Sequence, residues 1–520
     1  MTLSTTLPRG HHKPPAGPRG GRFTLADPLG ALAILSVVAV VALWVMNQGG
    51  PLSLTASDRA TGSLGLLAGL LASDLMILQV VLLARIPWVE RSWGHDLLTR
   101  RHRLLGFASF WLMTAHVTLF AVERSTREPT AIPDALLSLF VTDSWMLFAT
   151  VGTLLLIMVV VTSVRAARRR LRYESWHLLH LYSYAGIAAT FPHTFTDGAD
   201  FHETWTRVYW WCLYGVAFAA TLLYRVALPA WRSLYHRLRV ESVATEAPGT
   251  VSITFKGHRL DRMRTASGQF FVWRFLDGPG WSRGNPYTLS AAPTPDRLRI
   301  TIKSAGDGSE RAARLTPGTR ALIEGPYGTL TARHRTRPGM LLMAAGIGIT
   351  PMRALIEDTS YAPGEATLIY RYGAEEHAVF ADELREIATH RGVELILLPG
   401  PRRADTSWQA AGSAHGDGTP WQSDGPVHLA SASWQTTSSA HGADTARQAA
   451  APAHFADTSG RATGSARLDN DAQALRNLVP DIAQRDVYVC GPPAWITAVR
   501  KAARGAGAHR DSIHTEEFAW

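Results

Sequence analysis

Four histidines stand inside two long apolar stretches of the sequence, where ionisable side chains are costly and usually serve a function. The first stretch carries His102 and His116, and the second carries His180 and His193. These pairs are 14 and 13 residues apart. In a helix those spacings correspond to ~21 Å and ~19.5 Å. If the two helices run in the same direction, their histidines can meet at two depths.

Two imidazoles that face each other from neighbouring helices supply the axial ligands of a six-coordinate haem iron. The spacing predicts an inner haem between His102 and His180, and an outer haem between His116 and His193. Thirteen residues leave His193 about 140° around the helix from His180, so we expect Pro192 to cause a kink or bulge that re-aims the ring. The alternative is a polar cavity or a proton path, but two pairs with matched spacing favour haems.

The cysteine content limits the haem type. Cys212 and Cys490 are the only cysteines, so the chain has neither a disulfide framework nor a thiolate metal site. There is also no Cys-x-x-Cys-His motif for covalent haem attachment. We therefore expect two b-type haems, held without covalent bonds to the protein.

The two halves of the chain differ in composition. Hydrophobic residues make up 46% of the 520 residues and charged residues only 18%, but the long apolar runs end near residue 230. A sequence typical of soluble domains follows. The net charge of +10 is compatible with nucleic acid binding. Because the arginines concentrate beside apolar runs, anchoring at a membrane surface explains them better, and we predict no nucleic acid partner.

Six apolar stretches are long enough to cross a lipid bilayer, whose hydrocarbon core of ~30 Å needs about 20 apolar residues in a helix. They lie at 28–47, 63–86, 102–122, 144–163, 176–196 and 206–228. Their connections alternate between arginine-rich and acidic segments, and the basic tail at 1–27 belongs to the arginine-rich set. The positive-inside rule predicts a cell-membrane protein with six spans, a transmembrane domain at 28–236 and both termini in the cytoplasm.

A small antiparallel β-barrel is predicted at 237–335, because apolar and polar residues alternate there between frequent turns. Its segment Asn285-Pro-Tyr-Thr-Leu-Ser290 places an aromatic ring and hydroxyl groups on one strand. The ring can stack on a flavin, and a hydroxyl can approach the reactive N5. Gly308 and Ser309 precede a helix-like stretch at 311–315, where small residues expose backbone N–H groups to a pyrophosphate. The barrel is a candidate FAD domain.

A doubly wound α/β domain is predicted at 336–520. A buried strand from Met340 runs into Gly346-Ile-Gly-Ile-Thr-Pro351, and a helix follows. The two glycines let the backbone approach a dinucleotide phosphate at the helix start, although Pro351 stands where a third glycine is usual. A later strand ends in Cys490-Gly-Pro-Pro493. The alternating β–α order predicts a parallel sheet that binds its nucleotide at the carboxyl ends of the strands.

Residues at about 401–470 interrupt that domain with Ala, Ser, Gly, Thr, Asp and His. This composition cannot bury a core, so we interpret the segment as a flexible surface insertion. The alternative is metal binding by the histidines of the segment. These are His415, His428, His441 and His454.

Taken together, the motifs resemble those of the ferric reductase and NADPH oxidase superfamily over nearly the whole chain. In the apolar half, Gly94-His-Asp96, His102-Arg103 and Trp176-x-x-Leu-His180 match its haem-helix patterns. The soluble half is similar to ferredoxin–NADP reductase modules in the Asn285, Gly346 and Cys490 segments. The resemblance implies a six-helix haem bundle fused to an FAD and NAD(P) module.

The resemblance also assigns roles to individual residues. Thr288, Cys490 and Phe518 are the implied catalytic residues, with Cys490 near the nicotinamide and Phe518 covering the flavin; Trp520 is a second candidate for that cover. The implied cofactor contacts are Asn285, Pro286, Tyr287, Thr288, Ser290, Gly308, Ser309, Gly346, Gly348, Thr350, Pro351, Gly491, Pro492 and Phe518. Asn285 departs from the family pattern, which has Arg or His there to hold the pyrophosphate, and Arg283 is a candidate replacement.

A flavin is needed because a nicotinamide delivers two electrons as a hydride whereas a haem iron accepts one. The sequence therefore predicts a membrane-bound oxidoreductase that passes electrons from cytoplasmic NAD(P)H through FAD and two haems to an outer acceptor. That acceptor is dioxygen, giving superoxide, or a ferric chelate. The alternative is a haem-binding conduit to a dedicated extracytoplasmic protein. NADH and NADPH are both open as donors, with Arg371 as a candidate 2′-phosphate contact.

Overall fold

The computed structural model describes residues 26–48, 60–128, 131–141, 144–168, 170–171, 173–197, 203–400, 427–429 and 471–517. The basic N-terminal tail, most of the insertion, Phe518 and Trp520 lie outside these ranges. The chain divides between Trp231 and Arg232 into two compact units.

The first unit is helical, and each of the six apolar stretches coincides with a helix. Its helices are α1 Ala26–Gln48, α2 Ala60–Leu82, α3 Pro87–Trp93, α4 His95–Arg127, α5 Ile132–Val141, α6 Ser144–Ser163, α7 Arg165–Arg168, α8 Tyr173–Asp197 and α9 Thr204–Thr221, with α10 Leu228–His236 continuing into the second unit. By length and composition, five helical segments of the described chain can cross a membrane: 28–47, 60–82, 97–127, 145–163 and 204–236. Helix α8 is not among them, because it carries His177, His180 and His193 together with several hydroxyl groups.

Small residues let the helices that carry the histidines approach their neighbours closely. A Cβ added to Gly69 of α2 would lie 2.5 Å from Nδ1 of His116 on α4. A Cβ on Gly152 of α6 would lie 2.7 Å from the carbonyl oxygen of Gly186 on α8. Close backbone approach at small residues is the usual means of packing helices in membranes. The pairs α2–α4 and α6–α8 are packed in this way.

Of the kink or bulge expected at Pro192, the described helix contains no bulge. Helix α8 continues through this proline to Asp197 without interruption. Proline removes one backbone N–H donor and crowds the preceding turn, but helices in membranes tolerate it where neighbouring groups compensate. His193 therefore stands on a continuous helix.

The second unit begins with two three-stranded antiparallel sheets of order β1-β2-β5 and β4-β3-β6. Their strands are β1 Arg239–Ala247, β2 Thr250–Lys256, β3 Phe270–Phe275, β4 Asn285–Thr288, β5 Arg297–Lys303 and β6 Ala321–Tyr327. Isolated bridges between Arg239 and Arg320 and between Leu289 and Ile300 supplement the two ladders. Alternate residues from both sheets fill one core, in which Phe255 and Trp273 stack with ring centroids 4.5 Å apart.

A six-stranded parallel sheet follows, with the order β10-β9-β8-β7-β11-β12. Its strands are β7 Gly339–Ala345, β8 Ala366–Tyr372, β9 Glu394–Pro399, β10 Val427–Leu429, β11 Arg485–Gly491 and β12 Ile513–Glu517. Helices α12 Ile349–Asp358, α13 Ala381–Arg391 and α14 Pro493–Gly505 cover it, and each face has its own apolar core. Chain order reverses between β7 and β11, which is the switch point where such sheets bind nucleotides.

One part of the predicted insertion belongs to this sheet. Residues Val427–Leu429 form the edge strand β10, which pairs in parallel with Leu395–Leu397 of β9. The side chain of His428 and the other three histidines proposed as metal ligands lie outside the described residues. The segment is therefore better treated as two stretches on either side of an edge strand.

We expect both stretches to be dispensable for electron transfer from NAD(P)H to FAD. Replacing 404–424 and 433–467 by Gly/Ser linkers should leave flavin reduction at the wild-type rate, because lengthening or shortening a surface loop changes its closure entropy only slowly. Stopped-flow flavin absorbance measures the effect. The matched control removes β10 as well. Lost flavin reduction in a folded, FAD-loaded protein that retains β10 contradicts the expectation.

Candidate functional site

The structure brings the four histidines of α4 and α8 together as two pairs. The rings of His102 and His180 have centroids 6.0 Å apart. The rings of His116 and His193 have centroids 6.5 Å apart. A metal–imidazole bond is about 2.0 Å long, and a ring radius of ~1.1 Å on each side then puts the centroids of two axial ligands about 6.2 Å apart. Both pairs therefore fit an iron between them.

Backbone carbonyls of α2 orient the two rings on α4. Nδ1 of His102 lies 3.2 Å from the carbonyl oxygen of Gln79, and Nδ1 of His116 lies 2.8 Å from that of Gly65. A carbonyl oxygen only accepts hydrogen bonds, so each Nδ1 carries the proton. This leaves each Nε2 with a lone pair for a metal, which is the usual arrangement of a metal-binding histidine.

The inner ring on α8 has its own support. Nδ1 of His180 lies 3.3 Å from Oγ of Ser163, and the indole N–H of Trp176 donates to the same oxygen at 3.3 Å. Trp176 also stacks on His180 with centroids 5.1 Å apart. His177, one turn away, is exposed and belongs to neither pair. The sequence did not indicate Ser163 or these α2 carbonyls, because they lie far away along the chain.

Strand β4 presents the aromatic residue expected to stack on a flavin. Tyr287 is partly buried, and burial raises the pKa of Tyr287 to about 12, so its phenol is neutral. The indole N–H of Trp273 donates to the Tyr287 carbonyl at 3.2 Å and fixes the strand. Thr288 follows and is buried.

Ser290 is turned into the protein. It is fully buried, and its Oγ accepts a hydrogen bond of 2.8 Å from Oγ1 of Thr301. Its carbonyl oxygen accepts from the guanidinium groups of Arg299 and Arg353. In this structure Ser290 acts through its main chain, as a junction between the first strands and the later helices.

The two segments expected to hold the flavin phosphates lie against each other. A Cβ on Gly308 would be 2.8 Å from Oδ1 of Asn285. Helix α11 spans Asp307–Ala312, earlier than the predicted stretch at 311–315, so Gly308 and Ser309 lie in its first turn. Oγ of Ser309 accepts from the backbone N–H groups of Ala305 and Gly306, at 2.8 and 3.1 Å. The serine therefore shapes the loop before the helix.

The predicted dinucleotide loops meet at the switch point of the parallel sheet. The turn from Gly346 to Gly348 follows β7, and Gly346 has a left-handed φ of +57°. A Cβ on Gly348 would be 2.3 Å from the carbonyl oxygen of Cys490, at the end of β11. Only glycine fits this approach. Thr350 donates its hydroxyl to the Ile347 carbonyl at 3.0 Å, which closes the turn, and Pro351 lies buried in α12.

The residues that follow β11 lie at the same carboxyl edge of the parallel sheet. A Cβ on Gly491 would come within 3.0 Å of both Ala345 and the Trp495 ring, so the two strand ends are tightly packed. Pro492 is the residue before α14. The ends of β7 and β11 and the turns that follow them therefore lie side by side at the carboxyl edge of the parallel sheet, where sheets of this kind bind nucleotides.

Cys490 and Glu516 lie side by side on neighbouring strands, and the sequence motifs assigned a role only to Cys490. They are register partners on β11 and β12. Burial, and then the charge of Glu516, raise the pKa of the Cys490 thiol well above its usual range, so this group is a neutral thiol. A Cβ on Gly328, after β6, would be 2.7 Å from Oε1 of Glu516. Glu516 thus links the nucleotide sheet to the flavin sheets, and only its place before Phe518 could have signalled this.

Comparison with known proteins agrees with this division. Residues 68–191 match the family described as ferric reductase like transmembrane component. The matched range contains His102, His116 and His180 and ends two residues before His193. The family match and the five apolar helices identify a membrane protein.

Curated relatives include the ferredoxin reductase component of 3-ketosteroid-9-alpha-monooxygenase from Mycolicibacterium smegmatis. It is 27% identical over 291 residues, which cover 54% of this chain and 65% of that protein. The flavohemoprotein of Bacillus subtilis is 24% identical over 235 residues, covering 45% of this chain and 46% of that protein. The chain therefore spans less than two thirds of the length of these relatives.

Solved structures with similarity include a ferredoxin NADP+ reductase from Neisseria gonorrhoeae with bound FAD and NADP. Its TM-score is 0.36 at 17% identity, covering 54% of this chain and 97% of that one. By the family match and the curated relatives, the chain combines a ferric reductase-like transmembrane component with a ferredoxin reductase-like module. These matches agree with the resemblance to the ferric reductase and NADPH oxidase superfamily that the motifs indicate.

Proposed function

We propose that this protein is a transmembrane oxidoreductase that moves electrons from cytoplasmic NAD(P)H to an acceptor on the outer face. The observation that carries the proposal is the pair of facing histidine couples, with centroids 6.0 and 6.5 Å apart. One couple alone is compatible with a structural contact. Two couples at separate depths on the same two helices form a relay across the apolar region.

The protein would hold two b-type haems and one FAD. His102 and His180 would bind the inner iron, and His116 and His193 the outer one. When bound, FAD supplies the conversion of a two-electron hydride into single electrons, and the haem irons carry those electrons one at a time. Six spans, with α8 forming the fifth predicted span at 176–196, would put both termini in the cytoplasm by the positive-inside rule.

The residues of the second unit would bind and orient the donor. The turn at Gly346–Gly348 and the segment Gly491–Pro492 would receive the dinucleotide, with Thr350 and Pro351 shaping the helix start. Tyr287 and Thr288 would face the flavin ring, and Asn285 with Gly308 would border its phosphates. Cys490, as a neutral thiol, would contribute shape and polarity beside the nicotinamide rather than a thiolate nucleophile. Phe518 would cover the flavin.

The histidine ligands of the two irons determine where an acceptor would be reduced. Two histidines on each iron leave no open coordination position, so the acceptor would be reduced at the haem edge. Dioxygen, a ferric chelate or an extracytoplasmic protein all meet this requirement. NADH and NADPH are both candidate donors, and Arg371, near the end of β8, is the candidate 2′-phosphate contact.

Purified protein supplied with FAD and haem tests the proposal. NADPH and NADH oxidation should be followed with superoxide detection, and then with ferric citrate as the acceptor. Superoxide formation identifies the oxidase, whereas ferrous iron without superoxide identifies the reductase. Haem reduction with neither product indicates a protein acceptor. If NAD(P)H reduces neither flavin nor haem, the proposal is wrong.

A further inference from the structure

A cluster of charged side chains joins the flavin strands to the nucleotide helices and reaches the main chain at Ser290. Arg299 comes from β5, Arg353 from α12 and Glu383 from α13. Glu357 and Phe380 complete the cluster. None of these five residues was singled out by the sequence motifs.

Glu383 lies at the centre of the cluster. Its carboxylate accepts two hydrogen bonds of 2.8 Å from Arg299, one to each oxygen. It accepts a third, of 2.5 Å, from Nε of Arg353. Two-pronged pairing of guanidinium with carboxylate fixes direction as well as distance. One carboxylate thus ties β5 to α12.

Arg353 carries the connection onward to the segment that follows the flavin strand. Its Nη1 donates to Glu357 at 2.6 Å and to the Ser290 carbonyl at 3.1 Å. Glu357 in turn accepts 2.6 Å from the backbone N–H of Ala292. Through Arg353, helix α12 therefore holds the main chain at Ser290, which is only two residues beyond Thr288.

Burial and conformation show that the cluster is built into the fold. Arg353 is only 7% exposed, and two arginines balance two glutamates. Phe380 has a left-handed φ of +65°, which bulky residues rarely adopt. That conformation places its ring 4.8 Å from the Arg299 guanidinium and 5.8 Å from that of Arg353. A backbone outlier that serves a charged cluster indicates a constrained function.

The reaction proposed above needs such a constraint. The C4–H bond of NAD(P)H breaks and an N–H bond forms at flavin N5, so that the donor loses two electrons and one hydrogen and the flavin gains them. The reacting atoms must come within about 3–3.5 Å, and a displacement of ~1 Å can slow such a step about 100-fold. The donor loop and the flavin strand belong to different sheets, so a rigid link between them sets this distance.

We propose that Arg299, Arg353 and Glu383 are positioning residues that fix the nicotinamide site against the flavin strand. This inference rests on the proposed NAD(P)H-to-FAD reaction. The side chains of the three residues pair with one another and with the Ser290 carbonyl. They act through the Ser290–Ala292 segment on one side and helix α12 on the other.

The test compares Glu383→Gln with Asp382→Asn in the full-length, FAD-loaded protein. Both substitutions remove one negative charge from the first turn of α13, but Asp382 pairs only with the exposed Arg385 in the described interactions. Anaerobic stopped-flow measures flavin reduction at saturating NAD(P)H and the dissociation constant from its concentration dependence. Hydrogen exchange of the 290–293 amides gives a readout that needs no turnover.

Glu383→Gln should slow flavin reduction about tenfold to 100-fold, with FAD content and the dissociation constant nearly unchanged. The long-wavelength charge-transfer absorbance of the flavin–nicotinamide complex should weaken, and the 290–293 amides should exchange faster. Asp382→Asn should match the wild type. Arg353→Lys keeps the positive charge but loses the planar, two-pronged guanidinium group. Its rate of flavin reduction should lie between those of Arg353→Met and the wild type.

Equal flavin reduction rates and equal exchange in wild type and Glu383→Gln overturn the inference. Loss of FAD in proportion to lost rate also overturns it, because the cluster is then only structural. Should Glu383→Gln fail to fold, Arg299→Lys removes the same two-pronged contact and decides by the same measurements. If the wild type itself does not reduce FAD with NAD(P)H, the proposed function fails instead.

Discussion

Replacing His193 by alanine should stop electrons inside the membrane half while NAD(P)H oxidation at the flavin continues. His193 meets only His116 among the four paired rings, so the substitution removes a ligand at the outer depth. The inner pair of His102 and His180 keeps its contacts. Electrons would then face ~20 Å without a carrier, a distance that follows from the helix rise.

In vesicles with known orientation, the variant should reduce a soluble dye that reacts directly with the flavin at the wild-type rate. Reduction of an impermeant acceptor on the outer side should fall to background. His177→Ala is the matched control, since that exposed ring lies on the same helix outside both pairs. Normal outward flow in His193→Ala means that another residue binds the outer haem or that none exists.

Gly348→Ala should slow the reduction of the flavin by NAD(P)H about 100-fold while leaving FAD and the haems in place. The new Cβ would lie 2.3 Å from the carbonyl oxygen and 2.6 Å from the carbonyl carbon of Cys490. Both are backbone atoms of a central strand and cannot move aside cheaply. The loop must shift instead, and a displacement of ~1 Å at a positioned donor costs about 100-fold in rate.

The rate of flavin reduction by NAD(P)H should therefore fall about 100-fold. Dithionite should reduce the flavin and the haems as in the wild type. Gly373→Ala provides the control, because a Cβ there meets nothing within 4 Å although it follows a neighbouring strand. An unchanged rate of flavin reduction by NAD(P)H in folded Gly348→Ala contradicts the assignment of this loop.

Regular spacing made the two histidine pairs predictable. Positions in a helix have a fixed rise, so His102 and His116 could be matched in depth to His180 and His193 without knowing how the helices pack. Helix α8 shows the limit of hydropathy alone, since its polar residues keep it from qualifying as a span by composition. The apolar stretch predicted at 176–196 coincides with this helix, and the paired histidines within it lower its apolarity.

Other features could not be predicted because they join distant parts of the chain. Glu383 contacts Arg299 across 84 residues, and Gly328 approaches Glu516 across an even longer separation. No local period or motif records such contacts. The glycine turn at Gly346 was predictable because a dinucleotide phosphate demands it locally, but its packing against Cys490 required the strand order β7-β11. The edge strand β10 was hidden by the low-complexity residues around it.

The haem and flavin content of the purified protein, followed through an anaerobic NAD(P)H titration, tests the central claim most directly. We expect two low-spin haems per FAD, with both haem spectra turning to the reduced form once the flavin has been reduced. His116→Ala should lose one of the two low-spin signals. One haem per chain with a spectrum unchanged in His116→Ala, or haems that stay oxidised beside a reduced flavin, would contradict the electron path proposed for this protein.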